Sequence, residues 1–402
     1  ATARAGNIEQ SGALTISGTS TLVTTADDAD ITLIETSNAF TGALLVTTND
    51  NTDGADGVYT ADVSIDGGTT GLIMGLSTID GALTLLGGGT ITDTGIATVA
   101  GALSATTDAS NSAIILDQLA VDGTVALTTN GNGAATVVND AGLNFAASTV
   151  GGNLAATATT GNMTDSGALA ISGTTELTTS ANNATITLNN TNAFTGAVTI
   201  TTNDDSGNNA SATIDGGTTA LIIAASTIDG DLTVTSGNAS GITDSGTVTV
   251  GGELIAITDA NSGVINLGTT TVGGSISLTT NGTGNATIIN DAGLDFAAST
   301  IGGDLSATAT TGNISDSGAL AITGTSTFIT GATGSDIVLD SSGNAFSSWV
   351  KMEADDGSEA FGDITFVDSG AVVIQTSAAT DADGELLIDA GTDGAVGGDL
   401  SI

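Results

Sequence analysis

The chain has 402 residues, and its 44 acidic side chains against two basic ones give a formal net charge of −42. Such a chain cannot build the basic patch that nucleic acids and anionic membranes require, so we expect no nucleic-acid partner and no membrane insertion. It has no His and no Cys, which excludes histidine triads, zinc–histidine sites and disulfides. Pro is absent and aromatic residues are only 2%. The absence of Pro is typical of long sheets, whose interior positions exclude it. The few aromatic residues favour a thin core of small aliphatic side chains.

One stretch of sequence occurs three times, and the segments that follow each copy of it recur as well. Gly161–Leu177 reads GNMTDSGALAISGTTEL, and close variants occupy Gly6–Thr21 and Gly312–Phe328. A long repeat of this kind decides the fold class and overrides a domain count based on length. We therefore divide the chain into three copies of the repeat within one continuous rod: residues 1–155, residues 156–306 and a shorter, divergent copy at residues 307–402.

Phenylalanines recur at fixed places in these copies. Phe40, Phe194 and Phe346 each follow Asn-Ala, and Phe145 and Phe296 form a second such set. The copies lie about seven coils apart, so members of a set should occupy equivalent positions without touching each other.

Within each copy a shorter period is visible. Glycines precede alternating apolar runs at intervals of 21–23 residues in two series, Gly152, Gly173 and Gly196, then Gly230, Gly252 and Gly274. Alternation places the apolar side chains on one face of a strand, and Thr, Val and Ile favour strands. The residues expected to point inward in copy two are Leu169, Ile171, Leu177, Ile186, Leu188, Val198 and Ile200.

Short strands that repeat every 20–23 residues, with Gly and Asn turns between them, predict an all-β fold. We expect a β-solenoid, in which the strands of each coil pair in parallel with those of the next. The alternative is an array of β-sandwiches. Those modules need about 100 residues each and usually bury a Trp, whereas this chain has only Trp349.

Two segments carry a family resemblance. Residues 149–177, TVGGNLAATATTGNMTDSGALAISGTTEL, and residues 182–202, NNATITLNNTNAFTGAVTITT, resemble the β-strand repeats of filamentous-haemagglutinin-like bacterial surface proteins. The resemblance covers nearly the whole chain and is weakest after Phe346. It implies a right-handed parallel β-helix that is secreted, lies at the cell surface, and serves in adhesion, biofilm or surface fibres.

The tripeptide Asp-Ser/Thr-Gly recurs along the chain, and in aspartic proteases it carries a catalytic carboxylate. Its acids include Asp93, Asp165, Asp244, Asp316 and Asp368. Because it recurs between short strands of the repeat, we interpret it as a coil corner. In that interpretation Asp accepts backbone N–H groups and Gly supplies a positive φ. With two bases and few aromatic rings the chain is also poorly equipped to cleave acidic polysaccharides, so we expect no enzymatic activity.

Two acidic loops have the closely spaced oxygen donors that calcium prefers. Neither matches a helix–loop–helix site or a roll repeat, so solvated acidic loops are the alternative. Apart from calcium, no cofactor is expected. The candidate ligands are Asp50, Asp53, Asp56, Asp381 and Asp383.

The last residues, Gly397–Ile402, resemble Gly302–Ala307, so the sequence stops at the phase of the repeat where it starts. An uncovered coil exposes a strand edge and its core. We therefore expect the chain to associate with itself head to tail, either covalently within a longer protein or non-covalently in a filament. This predicts a non-enzymatic, extracellular structural and adhesive fibre. The alternative is a binding module of a secreted adhesin whose exposed loops recognise a surface glycan or receptor.

Overall fold

The computed structural model describes residues 1–49, 60–205, 207, 209–354, 362–370, 373–374 and 400–401. These residues form short β-strands and no helix. Each strand pairs in parallel with a strand of the next coil, so the predicted all-β solenoid is confirmed. Its contacts divide it into two compact units, Ala1–Asn203 and Asp204–Ile402.

The first unit is a stack of coils in which most strands have two to five residues. Its strands, β1 to β26 in chain order, are Thr2–Ala3, Ile8–Glu9, Thr15–Ile16, Ser20–Thr24, Ile31–Leu33, Ala39–Phe40, Leu44–Thr47, Val63–Asp66, Leu72–Met74, Ser77–Ile79, Leu83–Gly87, Ile91–Asp93, Ala97–Val99, Leu103–Thr107, Ile114–Val121, Thr124–Thr128, Ala135–Asn139, Leu143–Phe145, Ser148–Val150, Leu154–Ala158, Met163–Asp165, Leu169–Ile171, Thr175–Thr179, Ile186–Leu188, Ala193–Phe194 and Val198–Thr201.

The second unit repeats this arrangement. Its strands, β27 to β48, are Ala212–Asp215, Leu221–Ile223, Ser226–Ile228, Leu232–Ser236, Ile242–Asp244, Val248–Val250, Leu254–Asn261, Ile265–Val272, Ile276–Asn281, Ala286–Asn290, Leu294–Phe296, Ser299–Ile301, Leu305–Ala309, Ile314–Asp316, Leu320–Ile322, Ser326–Thr330, Ile337–Leu339, Ala345–Phe346, Trp349–Ala354, Ile364–Phe366, Val373–Ile374 and Leu400–Ser401.

The register of the strand pairs gives the length of each coil. Leu154 pairs with Thr175, 21 residues further on, and Thr175 pairs with Val198, 23 residues further on. Leu254 pairs with Ile276 in the second unit, a step of 22 residues. These coils agree with the predicted period. One coil is longer, because Ile31 pairs with Val63 across a longer connection.

The core is a column of aliphatic side chains between the strands. All seven residues predicted to point inward are at most 1% exposed: Leu169, Ile171, Leu177, Ile186, Leu188, Val198 and Ile200. Alternating burial along each strand therefore follows the alternation in the sequence.

The recurring phenylalanines occupy equivalent positions, as predicted. Phe40, Phe194 and Phe346 are all buried, and each pairs with an isoleucine of the preceding coil. Phe145 and Phe296 are both fully buried at the end of a three-residue strand. Phe346 packs against Phe328, with ring centroids 6.1 Å apart, and not against its counterparts in the other copies.

Glycines of neighbouring coils meet at two corners of the solenoid, one before strands of each large sheet. The N–H of Gly173 donates to the carbonyl of Gly152 (2.9 Å), and the N–H of Gly274 donates to that of Gly252 (3.0 Å). A Cβ on either donor glycine would lie closer than 3.0 Å to the backbone of the coil before it, so the spacing of the coils excludes any side chain here. We call these glycines the glycine seam. At one corner they are Gly81, Gly101 and Gly123 in the first unit and Gly230, Gly252 and Gly274 in the second; at the other they are Gly133, Gly152, Gly173 and Gly196 in the first unit and Gly284, Gly303 and Gly324 in the second.

Buried threonines close the turns that follow strands of both large sheets. The hydroxyl of Thr179 donates to the carbonyl of Ala184 (3.1 Å), which lies in the turn after its strand. This bond satisfies a buried carbonyl and a buried hydroxyl together. The other threonines that do this are Thr24, Thr107, Thr129, Thr258, Thr280 and Thr330.

Candidate functional site

The tripeptide carboxylates lie at corners where the chain leaves one short strand for the next. Asp165 ends the strand Met163–Asp165, and its two oxygens accept the backbone N–H groups of Asn189 (3.0 Å) and Asn190 (3.2 Å). Both donors belong to the coil that follows. The side chain of Asp165 therefore links its own coil to the backbone of the next coil.

Three further copies of the tripeptide repeat this geometry. Asp93 accepts the N–H groups of Asp117 (3.3 Å) and Gln118 (2.8 Å), and Asp244 accepts those of Gly268 and Thr269. The corresponding donors to Asp316 are Asp340 and Ser341. The prediction that these acids accept backbone N–H groups at corners is confirmed.

Asp368 differs from the other four. Its carboxylate accepts the N–H of Phe346 (3.0 Å), which lies earlier in the chain, and the N–H of Gly370 (3.1 Å). The carboxylate of Asp368 therefore also accepts backbone N–H groups, but one of its donors lies in the preceding coil, whereas the other four carboxylates accept from the following coil.

The glycine of the tripeptide does not have the positive φ that we predicted. Positive φ angles occur at other glycines, such as Gly131 and Gly282. A Cβ on Gly167 would instead lie closer than 3.0 Å to the backbone of Ala147, and one on Gly318 would meet Ala298 in the same way. At these two positions the glycine is needed because the preceding coil approaches it closely, and local turn geometry alone does not reveal this.

Burial shifts the pKa of two of these carboxyl groups upward. Desolvation raises the pKa of Asp93 above its usual value, although the N–H groups of Gln118 and Asp117 oppose the shift. Desolvation also raises the pKa of Asp316, against hydrogen bonds from Asn344, Asp340 and Ser341. A neighbouring carboxylate, Asp117 in one case and Asp340 in the other, adds to each shift by charge repulsion.

A buried asparagine completes the corner in each copy of the long repeat. Asn192 is 1% exposed; its amide donates to Asp165 Oδ2 (2.9 Å), and its oxygen accepts the N–H of Leu169 (2.7 Å). Asn344 makes the same two bonds to Asp316 and Leu320. From the sequence this asparagine could be recognised only as part of the recurring Asn-Ala-Phe. Its hydrogen bond to an acid could not be predicted, because the acid lies more than one coil length away along the chain.

Copy one has a neutral version of the same corner. Gln10 stands where the other copies have Asp, and its oxygen accepts the amide of Asn38 (3.0 Å). Asn38 in turn accepts the N–H of Leu14 (2.9 Å). The corner therefore needs an acceptor but not a charge, which indicates a structural role.

The calcium candidates Asp50, Asp53, Asp56, Asp381 and Asp383 lie outside the described residues. Among the residues that are described, no group of three or more acidic, His or Cys side chains could hold a metal ion. Calcium binding at the five candidates stays a prediction. Thermal melts with calcium or chelator, at matched ionic strength, would test it.

No helix in the described ranges is long and apolar enough to cross a membrane.

The first coil buries its apolar side chains less than its counterpart in copy two does. Ile8, Leu14 and Ile16 are only half-buried, whereas their counterparts in copy two, Met163, Leu169 and Ile171, are at most 1% exposed. A cavity of about 710 Å³ opens beside these three side chains. Within the described residues Ile8 pairs with a strand on one side, whereas Met163 pairs with strands on both sides.

The fold and its corners define a repeat-built β-solenoid whose polar groups join coil to coil. Three segments of the chain, residues 1–47, 131–201 and 283–353, match a family model described as repeats of unknown function (DUF5649). No curated protein and no solved structure matches the chain. The resemblance to filamentous-haemagglutinin-like proteins is not part of this match and stays a prediction.

Proposed function

We propose that the chain is a non-enzymatic structural β-solenoid that stacks end to end into an extracellular fibre with an adhesive role. The observation that carries this proposal is that a coil with a neighbour on each side buries Met163, Leu169 and Ile171 fully, whereas Ile8, Leu14 and Ile16, with one neighbouring coil among the described residues, are half-buried. A further solenoid turn, whether it belongs to the same polypeptide or to another copy, would bury these side chains and pair the strand edges of the first coil. Burial of apolar surface and pairing of edges are the two forces that drive such stacking.

The corners support a structural role over catalysis. The oxygens of Asp93, Asp165, Asp244 and Asp316 accept backbone N–H groups, and those bonds occupy lone pairs that a catalytic carboxylate would offer to water or substrate. Gln10 serves at the same corner in copy one, where it could not act as a general acid or base.

The extracellular location and the adhesive role rest on the resemblance to bacterial surface repeats. The charge of −42 is compatible with such surroundings, because ions outside the cell screen the repulsion between carboxylates. A fibre of parallel coils would also keep its length without disulfides, which this chain cannot form.

The test is a pair of neighbouring substitutions in the first coil. Ile16→Asp places a charge on the surface that the next turn would cover, whereas Thr15→Asp places it on the exposed side of the same strand. We expect filaments in electron micrographs of the wild type and of Thr15→Asp, and none with Ile16→Asp. Circular dichroism melts would check that both variants stay folded.

Two outcomes would overturn the proposal. One is a wild-type chain that sediments as a monomer at every concentration and forms no filaments. The other is a folded Ile16→Asp variant that forms filaments as readily as Thr15→Asp does, since the first coil would then not be the contact.

A further inference from the structure

Two glycines of the first coil lie where no described neighbour requires a glycine. Gly12 and Gly18 do not have a positive φ, so their own backbone conformation would accept other residues. A Cβ on either of them would meet no atom within 4 Å among the described residues. Neither local geometry nor the described packing therefore explains why these two positions hold glycine.

The counterparts of these glycines in copies two and three are in close contact with the coil before them. A Cβ on Gly167 would lie closer than 3.0 Å to the backbone of Ala147, and a Cβ on Gly173 would meet the backbone of Gly152 in the same way. Copy three repeats both contacts. Glycine is required at these two positions when the backbone of a preceding coil passes beside them.

The first coil also has a backbone donor without an acceptor at the matching place. The N–H of Ser172 donates to the carbonyl of Val150 (3.0 Å), and that of Thr323 donates to Ile301 (2.9 Å), each in the coil before it. Their counterpart Ser17 is exposed, and its N–H donates to no group of the described residues. The first coil therefore offers a further strand both the space and the hydrogen bond that the inner coils use.

A neighbouring strand accounts for these two observations, and a covering helix does not. Paired strands lie about 4.8 Å apart, so one backbone comes close enough to another to leave no room for a Cβ. An α-helix with its side chains is about 10–12 Å across, which keeps its backbone away from the surface that it covers. The glycines of the first coil thus favour a further solenoid turn as the neighbour.

The turn that covers this surface in the inner copies recurs almost unchanged, and we call it the covering turn. Residues 140–155 read DAGLNFAASTVGGNLA, and residues 291–306 read DAGLDFAASTIGGDLS. The first version begins its contact where Leu143 pairs with Met163, and the strand after it continues the pairing. Both versions bring Ala-Ala and Gly-Gly to the glycines that they approach.

The first strand of the chain already holds the last part of such a turn. Thr2–Ala3 pairs with Ser20–Thr24 in the register in which the end of Leu154–Ala158 pairs with Thr175–Thr179. Residues 140–155 therefore correspond to the part of the covering turn that this strand lacks.

Glu9 distinguishes between the two versions of the covering turn. It stands where copy two has Thr164, which pairs with Asn144 of the turn before it. The other version has Asp295 at this place. Like charges directly opposite each other on paired strands are unfavourable, so an asparagine suits the place beside Glu9 and an aspartate does not.

We propose that the neighbour of the first coil is a covering turn of the sequence type Leu-Asn-Phe-Ala-Ala-Ser-x-Val-Gly-Gly, as in residues 143–152, held by parallel pairing and by backbone contact at Gly12 and Gly18. This inference rests on the proposed function, which requires a further turn, and it names the turn. It applies equally to a turn of the same polypeptide and to one of another polypeptide.

The experiment adds residues 140–155 directly in front of Ala1 of the full chain. Hydrogen exchange of the Ser17 amide is then measured by mass spectrometry with residue-level fragmentation, at a concentration where the chain sediments as a monomer. We expect exchange to be at least about tenfold slower than in the unextended chain, because the N–H gains a carbonyl partner in the added turn.

Matched substitutions separate the parts of the inference. In the extended chain, Gly18→Ala should return the exchange of Ser17 to its unextended rate, because the added methyl group keeps the turn away. The same substitution in the unextended chain should leave the melting temperature unchanged, since its Cβ meets no atom there. Within the added turn, Asn144→Asp should weaken the protection, whereas the neutral control Asn144→Ser should keep it.

Three results would overturn the inference. The extended chain could exchange Ser17 as fast as the unextended chain does. The Gly18→Ala variant could keep the protection, in which case no backbone approaches this glycine. The Asn144→Asp turn could protect as well as Asn144→Ser does, which would remove the choice made from Glu9. Slow exchange in the extended chain supports the inference even where the wild type forms no filaments, and that combination would count against the proposed function alone.

Discussion

The first coil and its counterpart in copy two share nearly the same sequence but differ in burial. Residues 11–19 read SGALTISGT and residues 166–174 read SGALAISGT. Leu14 is half-buried in the first, whereas Leu169 is 1% exposed in the second. The two segments differ at one residue, Thr15 against Ala170, and the leucine is the same in both, so the main difference around it is the neighbouring coil. Burial, and the stability it provides, therefore comes from the contact between coils more than from the coil itself.

The largest effect should come from placing a charge at this shared position. We expect Leu169→Asp to lower the free energy of unfolding by more than about 4 kcal/mol, because it buries an unpaired carboxylate between two coils. Leu14→Asp should cost less than about 1 kcal/mol, since water reaches that side of the first coil. Urea denaturation of both variants measures the two losses, and equal losses would contradict the comparison.

The buried asparagine of each corner gives a second contrast. Asn192→Ala leaves the N–H of Leu169 and a carboxylate of Asp165 without their partner, and we expect a loss of about 2–3 kcal/mol. Asn38 is equally buried, but Asn38→Ala should cost only about 1 kcal/mol, because its partner Gln10 is neutral and the groups of Gln10 and Leu14 that lose their partner are half-buried. Thermal melts of both variants would rank them, and the reverse order would contradict the role given to the neighbouring coil.

Two threonines at opposite ends of one strand test the core of copy two. Thr175 and Thr179 are each 1% exposed, but the Thr175 hydroxyl finds no hydrogen-bond partner while that of Thr179 donates to Ala184. Thr175→Val should therefore raise the free energy of unfolding by about 1 kcal/mol, and Thr179→Val should lower it by a similar amount. Denaturation that shifts both variants in the same direction would show that the turn-closing bond does not matter.

The smallest effect should be a change in pH dependence at the corner of copy three. Burial raises the pKa of Asp316, so the folded chain holds this proton more tightly than the unfolded chain does. Its stabilising contribution is complete below the ordinary pKa and is lost as the pH rises through the raised one. The variant Asp316→Gln reproduces the neutral corner of Gln10, and it should therefore gain less in melting temperature than the wild type between pH 7 and about pH 4. Parallel profiles of the two proteins would contradict the assignment.

Alternation in the sequence is enough to predict the core. A period of two alone places Leu169, Ile171 and Val198 in the interior, and all three are buried. This works because each strand contacts the core on one face only, so that local spacing decides which side chains are inside. The equivalence of Phe40 and Phe194 follows in the same way from the long repeat.

Contacts between coils cannot be predicted from local spacing. The amide of Asn344 meets Asp316, which lies 28 residues earlier, more than one coil length away. The turn around the tripeptide glycine, taken alone, predicts a positive φ, whereas the backbone of Ala147 decides what fits at Gly167. The exposed Leu76 could have been found by aligning the copies, since it stands opposite Ala225 in that alignment.

The glycine seam joins each coil to the previous one through the same few groups. The N–H groups of Gly173 and Gly252 donate to the carbonyls of the seam glycines before them, and the N–H of the residue that follows each donates to the side chain of Asn153 or Asp231. A coil can therefore be duplicated or deleted between two seam glycines without creating a mismatch at that joint, whereas one added methyl group cannot be accommodated. Such a repeat can change its length by whole coils during evolution while the seam stays closed to point substitution.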